Sequence, residues 1–179
     1  MKRLVLASVA AVFLVSCTHM ASTHHAPKLK DGEVKLPSDY KSWPKFIGTV
    51  DRADAKQVRD MYINPVGAKV KAGEKFPNGT VSVMEIYKAQ ENDDGTLKKD
   101  ADGRLVKGNM LKVFVMGKGE GWGDLAPAGL KNGDWSYSAY LADGKVAPDL
   151  AAACRGCHLP VGEAKDFMFR YDEYFQKRS

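Results

Sequence analysis

The pentapeptide Cys154-Arg155-Gly156-Cys157-His158 constrains this 179-residue chain more than any other stretch. Two thiols three residues apart, followed at once by an imidazole, form the attachment site of a c-type haem: the cysteines add to the vinyl groups and the histidine binds iron. Counting ligands weighs against the rival readings. A structural zinc site needs four donors, and because the other histidines all lie before residue 26, Cys154, Cys157 and His158 have no evident fourth. A thioredoxin-like pair expects its cysteines after an early strand in a βαβ pattern, which the chain does not show.

The start of the chain places this motif in a compartment. Residues 1–16 carry the Lys2-Arg3 pair and an apolar run from Leu4 to Val15, the layout of an export signal and too short to span a bilayer comfortably. Leu14-Val15-Ser16-Cys17 resembles a bacterial lipobox, in which Cys17 is acylated and becomes the first mature residue, anchored to a membrane without crossing it. Thr18 stands where an aspartate would favour the inner membrane, so the expectation is a periplasmic lipoprotein of a Gram-negative bacterium, on the outer membrane. The three cysteines are then all accounted for, one by lipid and two by thioethers, which suits an oxidising compartment. Losing Lys2 and Arg3 with the signal lowers the formal net charge from +5 to +3. So mild a balance argues against nucleic acid and against a polybasic membrane patch, leaving the lipid as the only membrane contact.

Residues 17–36 hold Ser, Thr, Lys, Pro and the histidines His19, His24 and His25, and read as a flexible tether whose histidines are solvated. Residues 37–179 have the size of one domain enclosing a single haem. Within it, Tyr40 and Trp43 anchor an extended entry, and Asp51 is placed to cap a helix from Arg52 to Ile63 that stops before Asn64-Pro65. Phe76-Pro77-Asn78-Gly79 is a turn into a strand over residues 80–87, rich in β-branched side chains. Asp93-Asp94-Gly95 and Asp102-Gly103 mark exposed hairpin turns, and further strands are expected over 110–116 and 135–141. Asp149 heads a short helix that presents the cysteine motif, and Glu163 to Gln176 reads as a terminal helix. The expected fold is therefore mostly β, an antiparallel sheet with a few peripheral helices. Gly117-Lys118-Gly119-Glu120-Gly121-Trp122-Gly123 lacks the spacing and the Lys-Ser/Thr ending of a phosphate-binding loop, and is expected as a flexible loop near the haem or a partner surface.

The histidine count also constrains the second axial position of the iron. Unless a tether histidine folds back, a bis-histidine haem is excluded, which leaves a methionine, another side chain, water or an open site. The domain methionines are Met61, Met84, Met110, Met116 and Met168, each of which also suits an irregular apolar core.

Several stretches occurring in order carry a resemblance to a known family. They are Tyr40 to Trp43, Val58-Arg59-Asp60-Met61-Tyr62-Ile63-Asn64-Pro65, Phe76-Pro77-Asn78-Gly79-Thr80-Val81-Ser82-Val83, Gly133-Asp134-Trp135 and the cysteine motif. Together they resemble the cytochrome P-460 family, which includes the cytochromes c-prime-beta, over essentially the whole mature domain. The resemblance implies a periplasmic, monohaem, mostly β protein. Some members oxidise hydroxylamine with a haem cross-linked to a lysine; the c-prime-beta members lack that bond and bind nitric oxide or carbon monoxide at five-coordinate iron. The cross-linking lysine ends a Gly-Thr-Val-x-Val-Lys stretch, where this chain has Gly79-Thr80-Val81-Ser82-Val83-Met84. A thioether cannot form the amine bond, so hydroxylamine oxidation loses its signature. By analogy Met84 projects toward the haem as a candidate distal axial ligand, and Arg59 matches an arginine near the haem pocket. Relatives form dimers through their sheets, so a homodimer is an expectation of the resemblance alone.

Three readings follow. The first is an electron-transfer cytochrome with one covalent haem c on Cys154 and Cys157, ligated by His158 and Met84, that exchanges single electrons with a periplasmic redox partner. The second is a gas-binding protein in which Met84 lines an open pocket. The third is an enzyme acting on hydroxylamine or a related small nitrogen compound, for which the residues assign no catalytic group.

Overall fold

Five strands pair side by side in chain order, each antiparallel to the next: β1 (Lys45–Arg52), β2 (Gln57–Ile63), β3 (Val81–Ala89), β4 (Lys107–Lys118) and β5 (Trp135–Leu141). The computed structural model describes residues 27–178; the export signal, Cys17, His19, His24 and His25 lie outside the described residues. Among the described residues two segments are α-helical, α1 (Pro148–His158) and α2 (Tyr171–Gln176), and six short 3-10 turns link the elements. The mostly β expectation is thus what is observed, and among the described residues no helix is long and apolar enough to cross a membrane.

The sheet is covered on both faces, so β3 buries residues of both parities, Val83 and Glu85 as well as Ser82 and Ile86. Side chains alternate across a strand, and the register therefore sorts the sheet into cross-strand rows. One face carries the row Ile63–Ser82–Met116–Tyr137 and beside it the row Met61–Met84–Phe114–Ala139. Here Ile63, Met116, Trp135 and Tyr137 pack with Phe76, Phe167, Met168, Tyr171 and Tyr174 from the loops and α2. The opposite face packs Tyr62, Val83, Val113, Val115 and Tyr140 under Val34 and Tyr40 from the N-terminal segment.

Residues 52–63, expected as a helix, are the end of β1, a tight turn and the whole of β2. Val58, Met61 and Tyr62 fit helical spacing, but Val58, Asp60 and Tyr62 also alternate as in a strand, and pairing with both β1 and β3 decides the matter. Asp51 caps no helix; its carboxylate receives the Arg104 guanidinium and the Leu105 N–H instead. The expected terminal helix 163–176 is likewise broken, because Asp166, Phe167 and Arg170 have left-handed backbone and only Tyr171–Gln176 is α-helical.

Two further differences concern segments expected to be loose. The last residues of the expected tether are docked along β5: Gly32 N–H donates to the Tyr137 carbonyl at 2.7 Å, Ser136 Oγ donates to the Leu29 carbonyl at 2.7 Å, and Val34 is buried. The glycine-rich loop folds Trp122 over Gly117 and Gly119, against the Val83–Val115 face rather than beside the cysteine motif. It is held closely, since a Cβ on Gly123 would stand 2.0 Å from the Gly133 carbonyl oxygen.

Candidate haem site

In α1, residues 154, 157 and 158 stand at i, i+3 and i+4, so helical geometry gathers both thiols and the imidazole on one side of the helix. That helix lies against β5, where Cys154 packs on the aromatic core and the His158 ring meets Tyr137 at 5.1 Å between centroids. Cys154 is half-buried and Cys157 exposed. Burial, with Asp31 and Cys157 nearby, pushes the Cys154 thiol up to about 11, so it stays protonated at neutral pH and is a poor attacking group for disulfide exchange.

His158 is held in one tautomer. Its Nδ1 lies 2.7 Å from the Phe167 carbonyl oxygen, which can only accept, so Nδ1 carries the proton and Nε2 keeps a free lone pair. Burial lowers its pKa and outweighs the carbonyl's opposing pull, which keeps the ring neutral as a metal ligand must be. Phe169 meets the ring edge-on at 4.8 Å. Among the described residues no three His, Cys, Asp or Glu side chains converge as a metal cluster, so His158 is a lone imidazole donor.

Arg155, between the two cysteines, anchors the motif from within. It is 1% exposed; its Nε donates to Asp31 at 2.5 Å, its Nη2 donates to the Trp135 carbonyl at 2.9 Å, and its guanidinium lies 5.4 Å from the Tyr137 ring centroid. Asp31 also accepts the Tyr137 N–H at 3.0 Å, which ties the N-terminal segment, β5 and α1 together. Sequence reasoning missed both residues. The two positions between the cysteines carry no constraint from the motif, and Asp31 fell within a stretch expected to be flexible.

Met84 and Arg59 lie on the same sheet face as this helix. Met84 is directly opposite Met61 on one side and Phe114 on the other, and all three are half-buried. Strand and row spacings put Met84 about 12 Å from Tyr137 along the sheet, two strands and one row away. Arg59 stands one row beyond, between Val50 and Ile86, half-buried, and bonds the Gln57 side-chain oxygen rather than a carboxylate. Burial lowers its pKa, but it remains a cation available to an anionic group. Beside Cys157 a cleft of about 630 Å³ opens, lined by Cys157, Pro160, Val161, Phe169 and Tyr171, and Met84 does not line it. The structure therefore brings Cys154, Cys157 and His158 together and puts Met84 and Arg59 on the sheet face that this helix covers, two and three strands from β5.

These residues fit a haem. The donor set is two thiols on one side of a helix and one imidazole whose Nδ1 is tied to a carbonyl, beside an apolar row of methionine and phenylalanine. A family model described as Cytochrome P460 matches residues 37–170. No curated protein matches the chain. The chain belongs to the cytochrome P460 family and is a haem-binding cytochrome.

Proposed function

We propose that this protein is a periplasmic, lipid-anchored monohaem c-type cytochrome that passes single electrons to and from a redox partner. One observation carries the reading: α1 presents Cys154, Cys157 and His158 on one side, with Nδ1 of His158 tied to a carbonyl so that Nε2 is the atom left to bind iron. Haem iron supplies a one-electron couple when bound. Cys154 and Cys157 would hold the macrocycle through thioethers, His158 would bind its iron, and Arg59 would offer a cation to a propionate. Met84 would offer the iron a soft sulfur from the sheet face, a ligand type that would raise the potential and close the iron to small molecules. Cys17 carries the lipid, and the outer membrane is the site of anchoring.

A second reading keeps the site open to nitric oxide or carbon monoxide, with Met84 lining the pocket. The apolar neighbours of Met84, Met61 and Phe114, favour it, because such a row suits a neutral gas as well as a sulfur ligand. Oxidation of hydroxylamine is the third, and turnover by the purified holoprotein would revive it. Absorption spectroscopy separates the first two. A far-red sulfur-to-iron charge-transfer band in the oxidised protein that disappears in Met84→Ala supports electron transfer; a high-spin spectrum unchanged by that substitution supports gas binding.

A further inference from the structure

Lys118 belongs to the glycine-rich stretch that the sequence left without a chemical role, yet its side chain is only 9% exposed. Its Nζ lies 2.9 and 2.7 Å from the two carboxylate oxygens of Asp166, which is 3% exposed. Asp166 is over-determined. Its Oδ2 also accepts the Phe76 N–H at 2.8 Å, its carbonyl accepts the Trp135 indole N–H at 2.9 Å, and the Lys118 ammonium lies 5.4 Å from the Trp135 ring centroid. These contacts hold a backbone that side-chain-bearing residues avoid, with φ of 47° at Asp166 and 56° at Phe167. Left-handed conformations without glycine persist only where the surroundings fix them. What this corner achieves is the placing of one atom: the Phe167 carbonyl oxygen, 2.7 Å from Nδ1 of His158.

We propose that the buried Lys118–Asp166 pair is a positioning device for the axial ligand, fixing the Phe167 carbonyl against His158 Nδ1 and so setting how strongly His158 donates to iron. The inference rests on the reading of His158 as axial ligand. An imidazole whose Nδ1–H is firmly accepted is a more basic donor and favours ferric iron. Loosening the corner weakens that donation and shifts the couple toward ferrous iron. Neither Lys118 nor Asp166 ligates the iron; both act through Phe167.

The test is the reduction potential of the holoprotein in Lys118→Met, Asp166→Asn and the double variant Lys118→Met/Asp166→Leu. The double variant leaves no buried charge unpaired, as each single substitution does. Positioning raises the potential in all three, by about tenfold in the ferric–ferrous equilibrium or about 59 mV for one electron. A direct charge effect gives a different pattern: a fall on losing the lysine, a rise on losing the aspartate, and no change in the double variant. That pattern, or three unchanged potentials, overturns the proposal. Lys118→Arg keeps the pair and stays near the wild-type value. Should the purified protein carry no haem, the reading of His158 as ligand fails by itself. Nitrogen-15 NMR of His158 then decides the positioning: loss of the Nδ1–H preference in the double variant supports it, and an unchanged tautomer overturns it.

Discussion

Met84 and Glu85 are neighbours in the chain and point to opposite faces of the sheet, and the two faces are built on different principles. On the Glu85 face, a carboxylate 1% exposed accepts hydrogen bonds from Tyr40 at 2.7 Å, Tyr87 at 2.9 Å and Tyr62 at 3.2 Å, with Lys41 at 3.5 Å. Asp60, directly opposite Glu85 and equally buried, is satisfied by Thr49, Lys107 and Lys45. Every charge there is answered from within the domain. On the Met84 face Met61, Met84 and Phe114 are apolar and half-buried, and the next row carries two cations, Arg59, which bonds an amide, and Lys112, whose ammonium lies 5.8 Å from the Phe114 ring centroid. A closed polar network rigidifies a sheet; a half-buried apolar row bordered by cations suits a guest with an apolar body and acidic edges.

The largest effect that sharpens this contrast is chemical. The double substitution Cys154→Ser/Cys157→Ser is expected to abolish covalent haem, read as loss of haem staining on a denaturing gel, while circular dichroism keeps its β signature. A retained stain would break the assignment of the Met84 face as the guest face. Next, Glu85→Ala leaves three tyrosine hydroxyls, two of them on buried residues, without their acceptor and costs about 3–5 kcal/mol of stability in urea denaturation, with the visible spectrum unmoved. A spectral change there would mean that the faces are not independent.

Acid acts on the same network with a definite sign. Burial pushes the Glu85 carboxyl up, but the Tyr40, Tyr87 and Tyr62 hydroxyls and Lys41 outweigh it and hold it below its ordinary value of 4.5. A carboxyl depressed on folding contributes stability that is fully present above its unfolded value and lost as the pH falls through the folded one. Glu85→Gln therefore flattens the fall in the urea midpoint on acidification below about pH 4.5, and an unchanged slope would remove Glu85 from the acid response. The smallest effect on stability is at Met84. Met84→Ala costs about 1 kcal/mol, less than the roughly 2–5 kcal/mol of a fully buried methionine, because the side chain is half-buried. A stability loss as large as that of Glu85→Ala would place Met84 in the closed core rather than on the guest face.

Strand β5 was legible to the residue, and β3 and β4 nearly so, because β-branched and aromatic runs bounded by Gly and Asp turns have no other good use. β2 was not legible. Its apolar residues satisfy helical and strand spacing together, and only the neighbours on both sides, distant in sequence, break the tie. The same holds at the site. Cys154, Cys157 and His158 stand out in the sequence because their spacing is local, and one helix gathers them on one side. Arg155, Asp31, Lys118 and Asp166 were not, since ion pairs that join residue 31 to 155 and 118 to 166 leave no local pattern.

By itself the sequence determined the family, the strands with a single period, and the spacing of two cysteines and a histidine at the candidate haem site. Tertiary structure decided which face of the sheet each residue serves and which atom of His158 is free. Periodicity and motif are properties of neighbours along the chain. The partner of a buried charge and the orientation of an imidazole are set by contacts between segments that only folding brings together.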